Sequence, residues 1–435
     1  MLNAFFVALV LISVLAAAFT GHMEAVSSSA LDAAKKAVEL AIGLVGALSL
    51  FLGLMRVAQD GGLLRLLARA AAPVMRRLFP DVPADHPAMS AMILNIASNF
   101  LGLGNAATPF GIRAMQELDR LNPVKGTATN AMVLFLAINT AGLAILPTTV
   151  IALRASAGSN DPAGILAATW IASGCATIVA VAAAILLAKL PRFKATNPHG
   201  AVRDAPDAAP LPSAPAEAKR TPPRFGGWLA AAYGAAVVIA LFLHFRSGAG
   251  VTSWGELARG VLSFWMIPLL IAALVLFGWA RGVRVYDSVV EGAKEGFQVA
   301  LRIIPYLVAI LVAVAMFRAS GCLDLFVAAV SPLTAPWGLP AEALPMAVLR
   351  PLSGSGAFGV MSEILATHGP DSYLGYLVST MQGSTDTTFY ILAVYFGAVG
   401  IKKTRHAVPA GLLADAAGLT AAVSVGHVLW GHLAP

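Results

Sequence analysis

Apolar residues dominate nine stretches of the chain: 2–19, 37–58, 128–153, 163–190, 228–245, 261–279, 299–318, 374–396 and 406–430. A helix needs about 20 residues to cross ~30 Å of hydrocarbon, so each stretch predicts a membrane-spanning segment. The first could instead be a signal peptide, but it lacks a positively charged lead, and a retained helix is expected. Between 191 and 226 the pattern stops. That segment is rich in Pro, Ala and charge, has no periodic apolar face, and predicts a flexible linker on the cytoplasmic side.

The polar interruptions recur in the same order on both sides of the linker. LDAAKKAVELAIGLVGALSL at 31–50 resembles VEGAKEGFQVALRIIPYLVA at 290–309, each an amphipathic lead-in to a spanning helix. PVMRRLFP at 73–80 stands opposite PLTAPWGLP at 332–340, and NFLGLGNAATPFG at 99–111 opposite RPLSGSGAFG at 350–359. PTTVIALRASAG at 147–158 stands opposite DTTFYILAVYFGAVG at 386–400. Two related halves follow: 1–190 with a first repeat at about 31–155, and 255–435 with a second at about 285–400. An extra helix and loop at 227–254 lie between linker and second half.

Composition agrees with a lipid environment. The chain has 435 residues, 58% hydrophobic and 12% charged, and a mean hydropathy of +0.79. Soluble proteins carry roughly 25% charged residues. The net charge of +7 reads as the usual excess of Lys and Arg in cytoplasmic loops, not as a nucleic-acid surface, since no basic recognition module is present. Cys175 and Cys322 each sit in an apolar run and suggest no disulfide framework.

Charge also suggests orientation. With the basic linker inside, Arg65, Arg69, Arg76 and Arg77 in the middle of the first repeat fall inside. Arg281, Arg284, Lys294, Lys402, Lys403 and Arg405, at the ends of the second, fall inside as well. Arginines at the centre of one repeat and the ends of the other predict an inverted pair. Lys35, Lys36 and Arg154 break the pattern.

Gly and Pro at membrane depth are tolerated where backbone is buried in protein or lines a wet cavity. Broken helices leave N–H and C=O groups free to hold polar solutes or ions. In the first repeat Asn95, Asn99, Asn105 and Thr108 surround Gly102 and Gly104, while Asn139, Thr148 and Thr149 interrupt a later apolar run. In the second, Ser353, Ser355 and Glu363 surround Gly354, Gly356 and Gly359, while Gln382, Ser384, Thr385, Asp386, Thr387 and Thr388 interrupt the later run. These groups are candidates to line a site; the alternative is polar glue between small-residue helices. Asp386 aligns with Pro147 and is the foremost candidate for ion coupling or solute contact, or an N-cap of a half-helix. Arg350 is a candidate counter-charge, and Asp415 a second buried acid or a packing polar group. No Walker A, G-x-S-x-G or H-E-x-x-H pattern and no zinc-type Cys/His spacing occurs, so neither enzyme chemistry nor a cofactor or metal is expected.

The stretches at 99–118 and 134–162 resemble the bacterial spore maturation A proteins; VYDSVVEGAKEGFQVALRIIPYLVAILVAVAMFRASGCLD at 285–324 and RPLSGSGAFGVMSEI at 350–364 resemble the spore maturation B proteins. The likeness covers most of 1–200 and 255–435, as in a fusion of the two. Both belong to the nucleoside-recognition, or Gate, domain family. The resemblance implies an all-α polytopic protein of the bacterial inner membrane, with two inverted Gate-type repeats, re-entrant or broken helices and flanking transmembrane helices. It further suggests nucleosides as solutes. The function expected is secondary transport of a small polar solute, nucleoside-like or another metabolite, coupled to H⁺ or Na⁺ by alternating access. The other reading is a non-transporting component of an envelope or spore-maturation complex. Expected partners are the solute, the coupling ion and the lipid bilayer; a homo-oligomer is left open.

Overall fold

A computed structural model describes residues 2–102, 107–198, 226–246 and 265–433. Among these residues the secondary structure is helical, with one isolated bridge between Thr127 and Lys403. In the first half the helices are α1 (Leu2–Thr20), α2 (Met23–Asp60), α3 (Leu63–Leu78), α4 (Pro87–Phe100), α5 (Ala107–Arg120), α6 (Asn130–Thr140), α7 (Thr148–Ser156) and α8 (Leu166–Lys189). A short α9 (Pro191–Lys194) follows, then α10 (Gly226–Arg246) and α11 (Met266–Ala280). The second half continues with α12 (Val285–Ala319), α13 (Cys322–Thr334), α14 (Leu344–Leu352), α15 (Gly354–His368), α16 (Tyr373–Ser384), α17 (Thr388–Gly397) and α18 (Ala407–Trp430). Of the linker, 191–198 and Gly226 lie within the described residues.

The protein is an all-α, multi-pass membrane protein. Helices α2, α8, α12 and α18 are long and apolar enough to cross a bilayer. The amphipathic lead-ins at 31–50 and 290–309 lie within α2 and α12, after their first turns. At 1.5 Å per residue these helices are about 57 and 52 Å long, well beyond the hydrocarbon thickness, so their charged starts project past it.

Two of the apolar stretches are not single helices. The stretch 128–153 divides into α6 and α7, and 374–396 into α16 and α17. Pro147 lacks an N–H and disfavours helix before it, and Gly142 turns with φ +59°. In the second half Thr385 is extended, at φ −138° and ψ 172°. Asp386 then accepts the Thr387 N–H at 2.7 Å, a local bond that replaces helical pairing.

Element by element, α2–α8 and α12–α18 follow the same order. The most extensive helix contacts join counterparts: α2 with α12, and α8 with α18. Both pairs run antiparallel. Ser49 donates to the Ala293 carbonyl at 3.0 Å, and Ser288, earlier in α12, donates to Asp60, later in α2, at 2.7 Å. Gly418 packs on Ala176, while His406 at the start of α18 lies against Phe193 beyond the end of α8. Close approach of α2 and α12 depends on Gly292 and Gly296: a Cβ on Gly296 would stand 2.6 Å from Ser49 backbone atoms.

Two arginines tie the halves together. Arg154, fully buried at the end of α7, donates to the Pro370 carbonyl at 2.6 Å and to Asp371 at 3.0 Å, in the turn between α15 and α16. Its guanidinium lies 4.3 Å above the Tyr376 ring, which stacks on Trp430. Arg405, before α18, donates to the Ala128 carbonyl at 3.1 Å and to Asn130 at 2.9 Å, in the turn between α5 and α6. One clamp lies at the start of α18 and the other at its end, so ~36 Å of helix separates them.

Candidate functional site

Each half presents two interruptions: a helical hairpin, α4–α5 or α14–α15, and a broken helix, α6–α7 or α16–α17. A capped helix opens the first hairpin and another closes the second: His86 Nδ1 accepts the Ala88 N–H ahead of Pro87 in α4, and Ser353 Oγ accepts the Gly356 N–H in α15. The two helix breaks meet each other. The Asp386 N–H donates to the Thr140 carbonyl at 2.7 Å, and the Ile145 N–H to the Phe100 carbonyl at 2.8 Å. Gly142 makes the junction possible, since a Cβ there would stand 2.8 Å from Asp386 N.

Beside this junction lies a cavity of about 450 Å³. Asn99, Thr148, Thr149, Ser355, Gln382, Thr385 and Asp386 line it, with Arg350, Ile303 and Phe358. Its walls come from both halves. Asp386 is exposed there, and its carboxylate accepts from the Thr387 N–H, so it caps the half-helix and faces the cavity together. The Gln382 Oε1 has no hydrogen-bond partner.

Other candidates stand behind the wall. Asn95 is fully buried and donates to the Ala107 carbonyl at 2.9 Å and to Tyr395 Oη at 3.1 Å. Asn139 accepts from Asn99 Nδ2 at 2.8 Å and from Tyr395 Oη at 3.3 Å. These four side chains form one chain of hydrogen bonds from hairpin to cavity. Ser384 turns back onto the Met381 carbonyl, and Thr387 Oγ1 accepts from Arg350 Nη1 at 3.2 Å. Ser353 caps α15 next to Ser355, Thr108 lies partly buried in the first turn of α5, and neither forms a cavity wall. Asn105 falls outside the described residues. Glu363 lies elsewhere: it pairs with Arg318 at 2.8 Å and accepts from Thr367 at 3.0 Å, between α12 and α15.

Arg350 has a larger place than its sequence context suggests. It is 5% exposed, and its guanidinium donates to Thr387 and to the Thr385 carbonyl, holding the α16–α17 break from beneath. Tyr395 is the residue that sequence reading misses. It occupies an apolar run, and its partners Asn95 and Asn139 are about 300 and 256 positions away. Among the described residues, no group of three or more His, Cys, Asp or Glu side chains is placed to hold a metal ion.

The profile of the family described as nucleoside recognition, or Gate, matches residues 41–157 and 300–402, about half the chain, and these ranges contain both hairpins and both breaks. The chain is 50% identical over 170 residues to spore maturation protein B of Bacillus subtilis (strain 168), a match spanning 39% of this chain and 96% of that protein. It is 40% identical over 173 residues to spore maturation protein A of the same organism, spanning 40% of this chain and 88% of that protein. Two nearly complete relatives, each matching about two-fifths of one chain, are consistent with a fusion. No solved structure matches the chain. With the profile covering the elements that build the cavity in both halves, the chain belongs to the Gate, or nucleoside-recognition, family.

Proposed function

We propose that the protein is a secondary transporter of a small polar solute, nucleoside-like or another metabolite, working by ion-coupled alternating access in the bacterial inner membrane. The observation that carries this reading is the cavity where two helix breaks meet a hairpin from each half. Its size suits a small molecule, and its lining supplies amide, hydroxyl, carboxylate and guanidinium groups within an apolar surround. Backbone broken at such a place is the usual setting for solute and ion sites in transporters. Antiparallel packing of α2 on α12 and of α8 on α18 supports two halves, 1–190 and 255–435, inserted in opposite orientations. In this reading the extra helix α10 supplies the additional crossing between them.

The lining residues Asn99, Thr148, Thr149, Ser355, Gln382, Thr385 and Asp386 contact the solute. Asn95 and Asn139 position the hairpin that carries Asn99. The test is uptake of labelled uridine, other nucleosides, amino acids and dicarboxylates into proteoliposomes under imposed H⁺ or Na⁺ gradients. Asp386→Asn is expected to abolish gradient-driven uptake while leaving expression and thermal stability intact; unimpaired uptake removes Asp386 from the mechanism. A second reading, a non-transporting component of an envelope or spore-maturation complex, is favoured by the names of the two relatives. It predicts no flux of any of these solutes and a stable protein partner in a pull-down.

A further inference from the structure

Behind the cavity wall lies an acidic side chain that the solute site does not use. Asp415, in the middle of α18, is 1% exposed. Its Oδ2 accepts from Thr388 Oγ1 at 2.6 Å, and its Oδ1 has no hydrogen-bond partner. The Thr385 hydroxyl, on the residue whose other atoms line the cavity, faces the same carboxyl and also lacks a partner. Arg350 acts on Asp415 through space, with its hydrogen bonds directed to Thr387 and the Thr385 carbonyl. Among the described residues, the charged groups facing Asp415 are Arg350 from α14 and Asp386 from the α16–α17 break; α6, α8 and α16, which also pack on α18, contribute no ionisable neighbour.

An ionised carboxylate buried at membrane depth, with one hydrogen bond and one oxygen orphaned, is a costly arrangement. Protonation removes the cost in one step. The Thr385 hydroxyl can donate to Oδ1 of the carboxylate or accept from a proton carried there, so this contact survives both protonation states and what protonation removes is the buried charge. A metal cation fits less well, because the oxygens on offer are few and the Arg350 guanidinium stands close enough to repel it.

We propose that Asp415 is the proton-carrying residue of this protein, linked to the cavity through Thr385 and Arg350. The proposal rests on the transporter reading and names its coupling ion. With Asp415 protonated, Arg350 is free to hold Thr385 and Thr387, the arrangement in the structure. Loss of the proton to water leaves a buried negative charge that draws the guanidinium from the break and loosens the wall beside Asp386. The halves are unequal in this respect. Ala176 and Gly418 touch where α8 crosses α18, and three residues before them stand Ser173 and Asp415.

The test separates the proton from the solute. Infrared pH-difference spectra of the purified full-length protein are expected to show a carboxylic acid band that Asp415→Asn removes and Asp386→Asn retains. Thr388→Val, which keeps the acid and deletes its one hydrogen bond to the carboxylate, is expected to move the titration of that band to higher pH. In proteoliposomes, pH-driven uridine uptake is expected to fall about ten-fold or more in Asp415→Asn, while uridine exchange without a gradient persists. Absence of an Asp415 band at any pH, or pH-driven uptake unchanged in Asp415→Asn, overturns the proposal. A band lost in Asp415→Asn, with no solute moved by wild-type protein under any gradient, overturns the transporter reading and the coupling with it, while the protonation assignment stands.

Discussion

Arg154 breaks the orientation pattern that the loop charges predict, and its surroundings explain the exception. It is no loop residue: it is buried, bonded to Asp371 and the Pro370 carbonyl, and stacked over Tyr376. Removing one partner of a buried ion pair strands the other and typically costs about 3–5 kcal/mol. Asp371→Ala, which strands the fully buried Arg154 guanidinium, is therefore expected to lower stability in detergent by that order, read by thermal unfolding. Asp371, with its side chain 30% exposed, can recover water when left alone, so Arg154→Met is expected to cost less. Lys35, another exception, is solvent-exposed and pairs within its own helix with Glu39, which softens its weight as an orientation signal. At this scale Asp386 and Gln382 were legible because polar groups are conspicuous in an apolar run. The Asn95–Tyr395–Asn139 chain was legible only in part: the asparagines stand out, but a tyrosine among apolar residues does not announce a hydrogen bond to another half of the chain.

The long apolar helices were legible in position but not always in continuity, and the shorter α3–α5 and α13–α15 lie outside the nine apolar stretches. Hydropathy averages over a window, and a break of a few residues inside 128–153 or 374–396 leaves the average high. The local chemistry of Gly142, Pro147 and Asp386 decides those breaks, and it acts only because a neighbouring element accepts the freed backbone groups, as Thr140 does for Asp386. The same scale governs how near two helices come. Gly296→Leu, aimed at the Ser49 backbone, is expected to cost at least about 1–3 kcal/mol by overpacking the α2–α12 contact. Gly46→Ala, on an open face of α2, is expected to be neutral or to stabilise by up to about 1 kcal/mol through helix propensity. Parallel thermal unfolding of the two variants checks the contrast. Equal melting temperatures would mean that the close approach of α2 and α12 does not depend on glycine.

For the molecule as a whole, the order of Gly, Pro and polar clusters along the sequence runs parallel to the order of helices in the two sets α2–α8 and α12–α18. The contacts between the sets were not legible, since neither half of the chain records where the other lies. The inverted arrangement makes a direct prediction: single cysteines at Arg69 and Lys402 should react with an impermeant maleimide from one face of the membrane, and one at Trp337 from the other. Arg69 and Lys402 reacting from different faces would exclude it. The reciprocal arginine clamps carry a further consequence. A core that draws apolar side chains from both halves, such as Phe51 with Leu307, and is buttoned at either end by an arginine reaching into the opposite half, gives neither half a closed surface of its own. Joining them in one polypeptide then fixes a one-to-one ratio and turns a meeting between separate subunits into the docking of neighbours already held close.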